Sequence, residues 1–240
     1  MILPAFIVLL GAFIRSVSGF GYALVVTPLL MLVIEPKSVV VINIIISITM
    51  NAMILFHMRG HVDLKRAALI SLGSLPGILL GASLLSRLDP SVIKLAIAIL
   101  VIPFSILLLL GHSRQFKRDA LGNVIAGFMG GIFSASTSLG GPPVVLFLLN
   151  QGLTKERFVG TLAAYFLFTC IVSTCTFASL GMITTDLLIK AAILLPPLWL
   201  GTYLGIKVLP RINPTLFRRI ASAIVFAAAL AIIITILIEL

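Results

Sequence analysis

Acidic residues are the first thing missing: there are seven Asp and Glu in 240 residues, against 17 Lys and Arg. Charge of either sign makes up only 10% of the chain, where a soluble domain carries about 25%. That scarcity excludes an ordinary soluble enzyme and a disordered chain, both of which need polar surface. Cysteine is nearly absent. Cys170 and Cys175 lie in one apolar run, which fits neither a disulfide scaffold, nor a redox pair, nor a zinc site. His57 and His61 stand four apart beside Arg59, with Asp63 as the one nearby carboxylate, and read as a surface pair rather than metal ligands. Kinase, P-loop and hydrolase signatures are missing. No polar stretch is long enough for a soluble domain.

What is present is apolar: 60% of the residues. Such a composition calls for lipid as solvent. A membrane-spanning helix needs about 20 mostly apolar residues, so the chain holds roughly eight segments in one integral membrane domain, 1–240. The net charge of +10 falls between apolar runs, where it sets orientation rather than binding nucleic acid. The N-terminus starts apolar with no positive flank and no small-residue cleavage pattern, so a retained segment is expected rather than a signal peptide.

The apolar runs cover residues 1–14, 22–34, 38–58, 64–86 and 91–110, then 120–133, 144–150, 157–179, 186–208 and 215–239. A polar linker, 111–119, divides them. Each side has an opening run broken by Gly and small polar residues, then three full-length runs. Arg87-Leu88-Asp89-Pro90-Ser91 resembles Arg211-Ile212-Asn213-Pro214-Thr215, and Pro76 and Gly81 align with Pro196 and Gly201. Such internal duplication is a transporter signature. The expected fold is all-α and integral to the membrane. It has two inverted structural repeats, 1–110 and 120–240, each a broken or re-entrant opening helical hairpin plus three transmembrane helices.

The opening arms, at about 7–14 residues or roughly 10–21 Å, fall short of a bilayer core of about 30 Å. Basic residues choose the parity. If each opening segment makes no net crossing, one side holds Arg59, Lys65, Arg66, Arg114, Lys117, Arg118, Lys155, Arg157, Lys207, Arg211, Arg218 and Arg219. The other holds Lys37, Arg87, Lys94 and Lys190. A single crossing would split them almost evenly, so the positive-inside rule favours the first arrangement. It places both termini outside and the 111–119 linker in the cytoplasm. Two thin crossings per opening segment would give the same parity.

A helix interrupted inside a membrane is tolerated only where the break lines a cavity or is buried in protein. Gly19 and Gly21 open the arm that starts at Tyr22, with Phe20 between them; Gly140, Gly141, Pro142 and Pro143 open the other. Both breaks thus present helix N-termini, partially positive and rich in free N–H groups, near the middle of the bilayer. Facing each other, they would form an anion site. The hydroxyls of Ser16, Ser18, Ser134, Ser136, Thr137 and Ser138 either donate to oxyanions or satisfy loose backbone groups. Arg15 is the one basic residue deep in an opening segment. It could grip an oxyanion, cap the carbonyl end of its own arm, or snorkel from a shallow position.

Asn43, Ser47 and Asn51 share one helix face, as do Thr161, Tyr165 and Thr169 in the second half. They line a polar path, or serve as interhelical hydrogen bonds worth about 0.6 kcal/mol each. Gly73, Gly77 and Gly81, and again Gly201 and Gly205, mark close helix packing, either between the halves or in a homodimer. All seven acids fall in loops or at span ends, which leaves no buried carboxylate for proton or sodium coupling. An anion leaving a negative-inside cell gains roughly 2.3 kcal/mol per charge per 100 mV, so uncoupled export or exchange is expected over driven uptake.

The whole chain resembles the TauE/SafE-type sulfite exporter family. The resemblance rests on Ser18-Gly19-Phe20-Gly21 with Pro28, on Gly130-Gly131-Ile132-Phe133, and on Leu139-Gly140-Gly141-Pro142-Pro143 followed by Leu148-Leu149-Asn150. It implies a plasma (inner) membrane permease for sulfite or organosulfonates. The residues themselves reach only a permease for a small anion; the resemblance supplies the sulfur. The expected substrate-binding set is Arg15, Ser16, Ser18, Gly19, Phe20, Gly21, Asn43, Asn51, Ser136, Thr137, Ser138, Gly140, Gly141, Pro142 and Tyr165. Its partners are a small anionic substrate and the lipid bilayer, and no cofactor is implied. An anion channel, a permease for another anion, and a membrane serine enzyme built on Ser18 are the competing readings.

Overall fold

The computed structural model describes residues 2–93, 95–97, 99 and 120–209. The expected linker 111–119 and the last run, 215–239, lie outside the described residues, as do Arg211, Arg218 and Arg219. Among the described residues the regular structure is helical, with no strand. The opening segment is α1 (Ile2–Ser18) and α2 (Tyr22–Leu30). Then come α3 (Pro36–Met58), a 3-10 turn (Arg59–His61) and α4 (Leu64–Arg87). The second opening segment is α5 (Ala120–Thr137) and α6 (Gly141–Leu149), followed by α7 (Lys155–Ser179) and α8 (Thr185–Val208). Among the described residues five helices are long and apolar enough to cross a membrane: α3 with its 3-10 turn, α4, α5, α7 and α8.

Both breaks occur in the glycine-containing stretches, but the first arms are longer than 7–14 residues. α1 runs 17 residues and α5 runs 18. The hydroxyls explain the difference. Ser16, Ser18, Ser136 and Thr137 each donate to the carbonyl four residues back, on Ala12, Ile14, Ile132 and Phe133. A hydroxyl satisfied in this way does not compete for the backbone N–H groups of the helix, so the polar stretch is accommodated within it at a small cost. The second arms, α2 and α6, have 9 residues each, too short to span.

Helix starts follow local chemistry. Glu35 accepts from the N–H groups of Lys37 and Ser38 ahead of Pro36, Asp63 accepts from Arg66, and Thr154 and Thr184 cap α7 and α8. Partial burial disfavours the Glu35 carboxylate, but hydrogen bonds from Ser38 and from the Lys37 N–H outweigh it and hold the group below its ordinary range. A carboxyl lowered in the fold stabilises it above the group's ordinary pKa. That contribution fades as pH falls through the folded value. Glu35→Gln is therefore expected to cost about 1 kcal/mol at neutral pH and to flatten the acid-side loss of stability. Thermal melts in detergent across the acid range check this; an unchanged acid limb would count against the cap.

The halves are interlocked rather than side by side. α1 packs on α8, where Gly201 and Gly205 lie against the backbone of Leu9 and Phe13. α5 packs on α4, where Gly73, Gly77 and Gly81 meet the backbone of Val124, Phe128 and Ile132. Gly127 and Gly131 answer from α5 against Ile70 and Ser74. The glycine stripes thus serve contacts inside the chain, each joining an opening arm to a long helix of the other half. α3 and α7 pack together at the centre, and α4 also touches α7 as α3 touches α8. Glu35, Lys37, Ser86, Met182 and Asp186 gather at one end of the bundle. At the other, the Asp63 N–H donates to Thr161 at 3.1 Å. α3 and α7 therefore run antiparallel. Exposed Leu72, Leu79 and Leu80 on α4, and Trp199, Leu200 and Tyr203 on α8, give the outside an apolar face.

Candidate functional site

The two breaks meet in a cavity at the mid-length of α3 and α7. Arg15 reaches it from the last turn of α1, where a helix end exposes carbonyls that a cation can satisfy. Its Nη1 donates to the Gly19 carbonyl and its Nη2 to Asn51 Oδ1 at 2.9 Å. The guanidinium lies 4.9 Å from the centre of the Phe166 ring, a cation–π contact. Arg15 is only 3% exposed. Among the described residues the ion pairs are Arg66–Asp63, Lys155–Glu156 and Lys190–Asp186, so no carboxylate there balances Arg15. Its hydrogen bonds use two of five N–H donors.

Both breaks turn the chain with unusual backbone angles. Gly19 and Gly21 have φ of 82° and 98°, and Ser138 has φ of 60°. The left-handed region suits glycine because it has no Cβ. α2 then starts at the cavity, and the N–H groups of Tyr22, Ala23 and Leu24 have no partner within the helix. α6 starts there too, but Pro142 and Pro143 bring no N–H. Its first turn offers the Gly141 amide and little more, so the two helix starts, alike in dipole, differ in donors. Ser134 and Ser138 line the cavity beside the poorer one.

A hydrogen-bonded chain ties the halves together across the cavity. Tyr22 Oη donates to Asn43 Oδ1 at 3.2 Å, and Asn43 Nδ2 donates to Thr27 Oγ1 at 3.1 Å. Thr27 and Ser138 share a hydroxyl bond of 2.7 Å. Phe20, Leu24, Met50, Leu139 and Phe166 supply apolar wall. The centre of a water-sized sphere can sweep about 50 Å³. A water needs at least about 10–15 Å³ on that measure, so the space suits a few waters or one compact oxyanion.

Of the expected residues, Arg15, Phe20, Gly21, Asn43, Asn51, Ser138, Gly141 and Pro142 line the cavity. The others lie outside its lining. Ser16 packs near Gly205, Ser18 donates to the carbonyls of Ile14 and Phe20, and the Gly19 carbonyl serves Arg15. Ser136 and Thr137 are bound within α5, and Gly140 abuts Ser134 and the Gly130 carbonyl. Tyr165 is fully buried with its hydroxyl against Gly130 and without a hydrogen-bond partner.

Tyr22, Ser47, Met50, Ser134, Leu139, Phe166 and Cys170 join the lining. Ser47 was legible on the Asn43–Asn51 face. Phe166 and Cys170 share a face one residue round from the Thr161–Tyr165–Thr169 stripe, so the second half turns a less polar side to the cavity. Among the described residues the serine-enzyme reading finds no histidine near Ser18: His57 and His61 are exposed at the far end of α3. Among the described residues no group of three or more His, Cys, Asp and Glu could hold a metal.

The family described as "Sulfite exporter TauE/SafE" matches residues 4–232. A curated relative, the "Probable sulfite/organosulfonate exporter TauE" of Cupriavidus necator, is 24% identical over 217 residues. The match covers 88% of this chain and 85% of the relative. No solved structure matches.

Proposed function

Because the chain belongs to the TauE/SafE sulfite exporter family, a family of transporters and not enzymes, we propose that it exports sulfite or a small organosulfonate from a site between the two helix breaks. The observation that carries this reading is Arg15: a buried charge with neutral partners, lining a cavity at mid-depth. An unpaired charge in an apolar interior is strongly disfavoured, and a bound anion relieves it. The donors fit a sulfur oxyanion. Arg15 keeps N–H groups in a planar fork, and the first-turn amides of α2 face the same space. The name of the Cupriavidus necator relative supports sulfur as the element carried.

The finer architecture belongs to the same proposal. The antiparallel α3–α7 pair and the reciprocal seating of α1 on α8 and α5 on α4 support two inverted repeats, 1–110 and 120–240. The nine-residue α2 and α6 support opening segments that turn back rather than cross. Among the described residues Arg59, Lys65, Arg66, Lys155, Arg157 and Lys207 sit at one end, against Lys37, Arg87 and Lys190 at the other. The positive-inside rule supports a cytoplasmic first end, and the family supports the plasma (inner) membrane.

Flux from proteoliposomes across a tail-length series tests the substrate. Sulfite and methanesulfonate are expected to show saturable efflux and counterflow. Butanesulfonate is expected to fall by about tenfold or more, since overfilling a packed site costs about 1–3 kcal/mol. No protein-dependent sulfite flux would sink the sulfur reading. Flux without counterflow would favour a channel.

A further inference from the structure

We infer that the protein is an obligate exchanger, which carries one small anion out only as it carries another small anion back. The inference rests on the reading that Arg15 holds the transported anion, and it adds a second, returning substrate to that site.

The charge arithmetic is local. All partners of Arg15 are neutral: the Gly19 carbonyl, the Asn51 side-chain oxygen and the Phe166 ring. The described acids, Glu35, Asp63, Asp89, Glu156 and Asp186, are all at helix ends or turns, and none lines the cavity. An empty site therefore carries a whole positive charge, and a site holding a monoanion carries none.

A carrier with one central site passes through a state closed to both sides. Closing protein around a net charge is penalised, whereas closing it around a hydrogen-bonded ion pair is penalised far less. Carriers coupled to protons or sodium solve the empty return with a buried carboxylate that changes partners. Here the described residues offer none. Closing the empty site also strands donors, because the remaining guanidinium N–H groups and the Tyr22, Ala23 and Leu24 amides would face a wall that is mostly apolar, with only a few side-chain acceptors such as Ser47, Ser134 and Ser138. Loaded crossings in both directions are fast and the empty one is slow. The returning substrate is an anion compact enough for the same cavity, and equal charges moving in opposite directions cancel.

The test uses the full chain in proteoliposomes loaded with sulfite. The bath holds either sulfite or gluconate, which is too bulky for the cavity, and potassium with valinomycin sets the potential. Efflux is expected to be about tenfold faster into sulfite than into gluconate, and indifferent to potential when sulfite is on both sides. Equal rates into the two baths would overturn exchange and leave the anion site standing. No protein-dependent efflux into either bath would overturn both.

Asn51→Asp supplies the second arm. Its carboxylate replaces an oxygen that already accepts from Arg15 at 2.9 Å, so it provides the missing counter-charge. The variant is expected to bind sulfite more weakly and to move it equally fast into both baths. A variant that keeps the tenfold preference for a sulfite bath would overturn the charge argument. If the variant does not fold, the wild-type bath comparison decides alone.

Discussion

Arg15→Gln is expected to lower sulfite transport by about 100-fold and to leave the empty protein no less stable. The first figure is the lower end of what losing two charge-assisted hydrogen bonds to an anion implies, each worth about 1.5–3 kcal/mol, with about 1.4 kcal/mol per factor of ten. The second comes from the opposite ledger. In the empty protein Arg15 is a buried charge among neutral groups, and removing such a charge relieves a cost. Gln keeps a donor for the Gly19 carbonyl at the end of α1. The pairing of lost transport with an unchanged or raised melting temperature marks a binding residue. A structural cap would behave the other way, with a lower melting temperature and flux preserved. Arg15→Lys separates charge from shape. It should recover part of the flux, since an ammonium keeps the charge and loses the planar fork.

Gly77→Val is expected to be the most damaging single change outside the cavity. A Cβ at Gly77 would overlap the carbonyl of Phe128 and crowd the N–H of Ile132. Both are backbone atoms in a helix, so no side chain can swing aside. Overpacking costs about 1–3 kcal/mol where neighbours can adjust, and the upper end or beyond is expected here. α4 and α5 must separate, and that contact joins the two halves. The measurement is the folded fraction and melting temperature in detergent, with Gly60→Ala as control. Gly60 has open space around its missing Cβ, so its change should stay within about 0.5 kcal/mol. A Gly77→Val protein that melts like wild type would mean the helices are not in this close contact.

Local chemistry made much of this legible before any fold was known. The breaks around Gly19–Gly21 and Gly140 were readable because glycine and adjacent prolines interrupt an apolar run in only a few ways. Asn43, Ser47 and Asn51 were readable because a four-residue period puts them on one face, and that face lines the cavity. The same period on Thr161, Tyr165 and Thr169 shows a face but not its neighbour. That neighbour is in part the glycine surface of α5, so Tyr165 lies outside the cavity lining while Phe166 and Cys170 lie within it. Ser16, Ser18, Ser136 and Thr137 carry the right chemistry for an oxyanion, but each donates to the carbonyl four residues back. The glycine stripes announced close packing; which helix would fill each one depends on contacts far apart in sequence.

The reciprocal seating of the opening arms sets an order for biogenesis. α1 is made before α8, yet the surface that receives it belongs to α8. Until Gly201 and Gly205 arrive, Leu9 and Phe13 have no partner in α8, and until Phe166 and Cys170 arrive the cavity beside Arg15 lacks part of its wall. Long-range contacts of this kind are slow to form, and the waiting segment is exposed meanwhile. The early chain must therefore be held at the membrane with Arg15 unsheltered, and the cavity comes into being only when the part of its wall from α7 has been made.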